Sequence, residues 1–265
     1  MLQEIARTFG AGLYYPRDML IVALDTTTRP GSCAVARDGA VVCEASGDSS
    51  REQASRLPAE IVAILTRAGA AIGDVGAFAV ATGPGSFTGL RIGIASMQGL
   101  AFAQGKPLIG VSALDALAHI AGRLLPAGDP PGTDAWTLRA RVATWVDAWR
   151  GEVYAATYRE GQLLEPPCVA RPIDLLEAMG PGPTLFVGDG ASAYRHLIVA
   201  ARGAEARVAD PASPPLAGTI ARLAAAVYAE GQRPEPHAIQ PIYVRRPDAV
   251  LARASRQPSL GAHAE

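Results

Sequence analysis

A chain of 265 residues that is 49% hydrophobic and 18% charged is long enough for one large domain or two smaller ones, and too apolar to remain disordered. Its formal net charge of −1 supplies no field to draw in nucleic acid over a distance, so a role on RNA or DNA needs a local patch or a partner that provides one. Three cysteines, Cys33, Cys43 and Cys168, without CxxC spacing, argue against a disulfide framework and a zinc site, fit a reducing cytoplasm, and accompany no apolar run long enough for a membrane span.

Residues 1–18, MLQEIARTFGAGLYYPRD, carry an acid early and lack a continuous apolar stretch. They read as an N-terminal extension, or as sequence upstream of a start at Met19, rather than a signal peptide. The run MLIVALD at 19–25 predicts a buried strand, and SCAVAR and AVVCEAS around Asp38-Gly39 predict a hairpin. A helix over 53–68 follows, with Leu57, Ile61, Ile64 and Ala68 on one apolar face, Val62 and Leu65 widening it, and Gly69 as its stop. Then come a strand VGAFAVATG, a helix over 88–104, a strand LIGV and a helix over 112–122. The loop LLPAGDPPGTDAW is the expected boundary between halves at 19–125 and 126–245. Beyond it LRARVATWVDA and VYAATY form a hairpin around WRGE, followed by a helix over 172–179, a strand TLFVG, a helix after Gly190 and a helix over 216–228. Two halves that each open on a hairpin and then alternate strands with helices predict a duplicated α/β architecture, with a tail at 246–265 that loses order.

The stretch GPGSFTGLRIG, 83–93, looks first like a phosphate cradle. It has no lysine for a P-loop, Thr88 where a dinucleotide fingerprint needs its third glycine, and Pro84 and Thr88 where a nucleophile elbow needs glycines. Its small residues otherwise explain themselves as packing: Gly89, Gly93, Ser96 and Ala103 lie near one helix face beside a ridge of Leu90, Ile94, Met97 and Ala101, and Ser86 or Thr88 caps the helix. The stripe serves an internal core, an oligomer interface, or both. Asp25 at the end of the first strand suits a metal or phosphate held through water, or a turn. Asp147 and Glu152 flank the second hairpin turn, as a carboxylate pair or as partners of Arg150. Arg139, Arg141 and Arg150 offer phosphate contacts or a merely solvated edge, and His119, His196, His237 and His263 are too scattered to share a metal.

Taken together, DTTTRPGSCAVARDG, the block from ATGPGSFTGLRIG to SALDALA, WVDAWRGEVYAATY and the late PIYVR resemble the TsaB (YeaZ) family over 19–245. The resemblance implies the ASKHA fold of actin, sugar kinases and Hsp70, an α/β architecture of two related lobes with mixed sheets. It also implies a cytoplasmic, non-catalytic role in making N6-threonylcarbamoyladenosine at position 37 of tRNAs that read codons beginning with A. The implied partners are the catalytic paralogue TsaD, the ATPase TsaE, a second copy of the chain, and tRNA indirectly through the complex. The catalytic paralogue holds its metal through two histidines four apart on the helix after a strand like LIGV; those positions fall here on Ala113 and Leu117, which have no lone pair to give. No catalytic residue, metal or cofactor is therefore expected. The implied nucleotide cleft is a relic at Asp25, Thr27, Asp147, Gly188 and Gly190, with room for weak nucleotide binding at a subunit junction. The implied partner interface lies on the first two helices at Leu57, Ile61, Ile64, Leu65, Gly89, Gly93, Met97 and Leu100, and Gln53 stands where many relatives have histidine. The contrasting expectation is an independent peptidase-like or ATP-dependent kinase-like enzyme of the same fold.

Overall fold

The computed structural model describes residues 18–121 and 140–244. The expected extension up to residue 17, the expected boundary loop and the 246–265 tail lie outside the described residues. The chain forms β1 (Leu20–Asp25), β2 (Ser32–Arg37), β3 (Ala40–Ser46), α1 (Gln53–Arg67), β4 (Val75–Gly83), α2 (Phe87–Ala103), β5 (Leu108–Ser112) and α3 (Ala113–Ala121). It then forms β6 (Arg141–Asp147), β7 (Val153–Arg159), β8 (Gln162–Ala170), α4 (Pro172–Ala178), β9 (Thr184–Val187), α5 (Asp189–Ala193), α6 (Arg195–Arg202), β10 (Ala206–Val208) and α7 (Ala217–Ala229).

The duplication is visible in the strand order. The first sheet runs β3-β2-β1-β4-β5, and the second, read from its opposite edge, runs β8-β7-β6-β9-β10. In both, the first three strands pair antiparallel and the remaining ones pair parallel. Strands β8 and β10 have no counterpart in the sequence reading: β8 carries Pro166 and Pro167, which remove ladder donors and are tolerated because β8 is an edge, and β10 is only three residues long. The expected helix after Gly190 divides at Tyr194 into α5 and α6.

Five layers result. Leu20, Val22 and Leu24 point from β1 toward α1 and α2, while Ile21 and Ala23 point the other way, toward α3, α7 and the second sheet. On the far side Trp145 and Phe186, whose rings meet edge to face at 5.1 Å, pack with Leu176 of α4 and Ile198 of α6. The central layer is built from small side chains: Ala34, Ala36, Ala77, Ala79 and Ala81 of the first sheet meet Ala217, Ala221 and Ala224 of α7.

Packing also crosses between the two expected halves. Helix α7 packs on the first sheet, and the segment beyond it stays there: Pro234 accepts from Leu108 N, and Ile242 N donates to the Thr82 carbonyl at 2.7 Å. Helix α3, from the first half, packs in turn on β6, β7 and β9 of the second sheet. The lobes thus exchange helices, a long-range arrangement that no local sequence pattern encodes.

The amino end of α7 has no side-chain cap of its own. Ser32 Oγ accepts from Leu216 N at 3.1 Å and Ala217 N at 3.0 Å, and Glu44 Oε1 accepts from Gly218 N at 2.7 Å. Orphan helix donors are satisfied from across the fold. Burial, aided by the nearby Asp25 charge, raises the Glu44 carboxyl, against the pull of the Gly218 hydrogen bond. Ser32→Ala removes the acceptor of two of these hydrogen bonds and lowers unfolding stability by about 1–2 kcal/mol, measured as a fall in the urea midpoint at unchanged slope.

Candidate functional site

Two surface features adjoin α1 and α2. At the amino ends of both helices a cleft of about 640 Å³ opens between the lobes, lined by the loop 27–30, by Arg51 and Gln53, by Ser86, Thr88 and Gly89, and from the second lobe by Asp147, Trp149 and Asp189. Along the middle of the same helices runs an apolar groove of about 530 Å³, lined by Leu57, Pro58, Ile61, Val62 and Leu65 of α1 and by Ala95, Ser96, Gly99 and Leu100 of α2, with Ile72.

The loop at the cleft is held from within. Asp25 is buried, and its Oδ1 accepts from Thr27 N at 2.9 Å and Thr27 Oγ1 at 2.6 Å. Burial nevertheless raises the Asp25 carboxyl above its ordinary range, with the two Thr27 hydrogen bonds pulling it back. The glycines of the 83–93 stretch answer to this loop. A Cβ at Gly85 would lie 2.6 Å from Thr27 Cβ; one at Gly89 would strike the Thr26 carbonyl, and one at Gly93 the Thr26 hydroxyl. Ser86 N donates to the Thr27 carbonyl at 2.8 Å, and Ser86 Oγ caps α2 by accepting from Gly89 N. The stretch therefore docks α2 on the end of β1, and its glycines are required by that packing.

Across the cleft, Asp189 Oδ1 accepts from Asp147 N at 3.0 Å and Gly190 N at 2.9 Å, while burial raises its carboxyl. Asp147 Oδ1 accepts from Trp149 N in the hairpin turn, where Trp149, Arg150 and Gly151 all have positive φ. The Trp149 ring is 66% exposed at the cleft mouth.

The residues expected to hold a nucleotide are only partly brought to the cleft. Of the five relic positions, Thr27 and Asp147 line the cleft, whereas Asp25 lies beneath the loop. Gly188 and Gly190 are turned away: side chains there would run into the Trp145 carbonyl, so their smallness serves packing on β6. The cleft's second-lobe wall presents Asp147 and Asp189 while Arg29 and Arg51 line it from the first lobe, and among the described residues no group of three or more His, Cys, Asp or Glu side chains is placed to hold a metal ion. Arg141 is spent on the carbonyls of Gly180, Pro181 and Gly182, and Arg139 lies outside the described residues.

The interface residues divide. Ile64, Gly93 and Met97 belong to this chain's own packing and face inward, and Gly89 faces the cleft. Leu57, Ile61, Leu65 and Leu100 pack against the sheet yet also line the groove. The outward stripe of α2 is instead Phe87, Arg91, Ala95, Gly99 and Phe102, and that of α1 includes Val62, 64% exposed. Arg91 lies over the Phe87 ring at 3.8 Å and donates to Tyr243 Oη at 3.1 Å, which joins the end of the described chain to this stripe. Sequence reading also missed Arg56, which is 2% exposed and ties α1 to the cleft loop. An arginine beside an apolar ridge carries no signal of its burial until the loop that covers it is in place.

Comparison with known proteins follows the same geometry. A family model described as "TsaD: tRNA N6-adenosine threonylcarbamoyltransferase" matches residues 36–230. The tRNA threonylcarbamoyladenosine biosynthesis protein TsaB of Escherichia coli is 33% identical over 246 residues, covering 86% of this chain and 95% of that protein. The chain belongs to the TsaB/YeaZ family. The solved YeaZ of Pseudomonas aeruginosa is 30% identical with a TM-score of 0.66, covering 85% of this chain and 99% of that one. Beyond the TsaB/YeaZ family the likeness is one of fold: component A of (R)-2-hydroxyglutaryl-CoA dehydratase from Acidaminococcus fermentans has a TM-score of 0.50 at 12% identity, covering 80% of this chain and 99% of that chain. The repeated sheets and shared helices are those of the ASKHA fold. In this TsaB/YeaZ chain, Ala113 and Leu117 both pack into the central layer between the sheets.

Two substitutions separate the inward from the outward glycines. Gly93→Ala, which forces a methyl onto Thr26, destabilises by about 1–3 kcal/mol, whereas Gly99→Ala, with open space at its Cβ, is neutral or stabilising by up to about 1 kcal/mol; thermal melts of both distinguish them. A second expectation concerns Asp25. Because its folded carboxyl is raised, the proton-linked part of stability is present at low pH and is lost as pH rises through the raised value. Asp25→Asn, which keeps the acceptor oxygen without the charge, gains stability relative to the parent as pH rises above the ordinary carboxylate range, measured in denaturant titrations.

Proposed function

We propose that this chain is a cytoplasmic, non-catalytic subunit in the formation of N6-threonylcarbamoyladenosine at position 37 of tRNAs reading codons that begin with A. It docks on the catalytic paralogue TsaD and stimulates it, TsaE supplies the ATPase, and tRNA is met through the assembled complex. One observation carries the non-catalytic part: a methyl group at Ala113 and an isobutyl group at Leu117, both packed in the core, stand where the paralogue's metal-binding histidines would be. Neither has a lone pair, so the carbamoyl group has no Lewis acid to polarise it at that place.

Family membership supports the pathway, and the groove supports the docking. Its floor is aliphatic, its rim is Pro58 and Val62 on α1 and Ala95 and Gly99 on α2, and the small residues let another helix backbone approach closely. Among the described residues no helix is long and apolar enough to cross a membrane, so the exposed apolar rim is read as a protein-docking surface rather than a membrane anchor. The occupant is the corresponding helix pair of the catalytic paralogue, replaced by a second copy of this chain when the paralogue is absent. The cleft needs no nucleotide of its own.

Reconstitution tests the reading. The chain alone yields no modified adenosine with tRNA and the threonylcarbamoyl donor, and adding it to the paralogue and the ATPase raises product formation. Equal product without the chain would refute the activator role, and turnover of ATP or peptide by the chain alone would favour the independent enzyme. Val62→Glu places a charge on the groove rim without touching the core; it weakens binding to the paralogue by about tenfold or more at an unchanged melting temperature, measured by titration calorimetry.

A further inference from the structure

The cleft and the groove share no lining residue, yet the same two helices form both. Helix α1 meets the groove through Pro58, Ile61 and Val62, about one turn beyond the side chains with which it holds the cleft loop. Gln53 Nε2 donates to the Thr28 carbonyl at 2.9 Å and reaches the Arg29 carbonyl at 3.5 Å. Arg56 Nη2 donates to the carbonyls of Arg29 at 3.1 Å and Pro30 at 2.5 Å. Its Nη1 donates to both carboxylate oxygens of Glu60, at 2.6 and 2.7 Å, one turn further along α1 and adjacent to Ile61. The guanidinium is buried, so its charge is balanced only by Glu60 and the loop carbonyls.

We propose that α1 couples the groove to the cleft: a partner seated in the groove sets the loop 27–30 through Gln53 and Arg56. The argument rests on the docking reading above and is mechanical. A packed helix moves as a body, by about 1–2 Å when a partner shifts it. A hydrogen bond near 3 Å does not stretch by that amount and survive, so the loop follows the helix. The loop has the means to follow. Thr28 and Arg29 are otherwise tied only to neighbouring loop atoms, Gly31 N donating to Thr28 Oγ1 at 3.3 Å and Arg29 Nε donating to the Ser49 carbonyl at 3.0 Å. Thr27, in contrast, is fixed to β1 by Asp25 and to α2 by Ser86 N. The loop is therefore held at Thr27 on one side and at Gly31, whose carbonyl accepts from Gly47 N at 3.3 Å, on the other, and α1 grips the carbonyls between these ends. Gln53 and Arg56 are positioning residues, acting on the cleft through backbone carbonyls. By linkage the effect is reciprocal: whatever tightens this loop from the cleft side strengthens docking in the groove.

The test uses the full-length chain, the catalytic paralogue, and two variants, Gln53→Ala and Arg56→Lys. Gln53 is half exposed, so its variant keeps the fold even if the buried Arg56→Lys does not. Amide hydrogen exchange over residues 28–31 is measured with and without the paralogue, and affinity is measured separately by titration calorimetry. In the parent, docking slows exchange in this segment by about fivefold or more, whereas Gln53→Ala loses that slowing while binding the paralogue within about threefold of the parent affinity. Loop exchange that docking leaves unchanged in the parent, or that slows as fully in Gln53→Ala, overturns the coupling and leaves docking standing. A parent chain that does not bind the paralogue overturns docking, and the coupling with it.

Discussion

The contact between α2 and the end of β1 is the constraint on which the rest of the molecule depends. Gly85, Gly89 and Gly93 each lack the Cβ that would collide with Thr26 or Thr27, and the helix settles onto the loop that the buried Asp25 folds back. With α2 fixed there, its amino end becomes one wall of the interlobe cleft and its middle becomes one side of the apolar groove. Helix α1 completes both from the other side. A single close approach thus places two surfaces about one helical turn apart along the same helices and joins them through rigid elements.

The central layer imposes a second constraint, of size rather than of position. Alanines predominate on the inner face of the first sheet, beside Ile21, Ile109 and Val111, and on α7, beside Ile220, Leu223 and Val227. Short side chains let a helix lie low on a sheet, at the cost of the burial that leucine or phenylalanine would bring. Larger residues from the second sheet, among them Val146, Tyr158 and Leu185, fill the space on the other side. Tyr158 Oη also donates to Asp115 Oδ1 at 2.6 Å, a bond between β7 and α3 that ties the lobes; burial raises both groups, and the hydrogen bond draws the Asp115 carboxyl back down. With Ser32 and Glu44 capping α7 from the first sheet, the two lobes are held by polar contacts as well as by packing.

These features bear on what the ASKHA fold provides for the docking role proposed above. This chain sets Asp147 and Asp189 on the second-lobe wall of the cleft and turns Gly188 and Gly190 into β6. Where the catalytic paralogue needs two imidazoles, this chain has Ala113 and Leu117 in its core. What the fold retains is a stiff pair of helices with an apolar outer seam.

Sequence alone determined the repeat, the order of most strands and helices, the hairpin turn at Asp38-Gly39 and the family, because hydrophobic periodicity and turn chemistry are local and leave a local trace. It also established that 83–93 matches no phosphate motif, since those motifs depend on fixed spacing. Only the tertiary structure decided which face of each helix is free. A glycine stripe and an aliphatic ridge look alike whether a sheet or a partner covers them, and it took Thr26 against Gly93 to show that this stripe faces inward and that Ala95, Gly99 and Val62 face out. The helix exchange between lobes, the capping of α7 by Ser32 and the burial of Arg56 were likewise settled in three dimensions. Each joins residues far apart in the chain, and no window of sequence contains both partners.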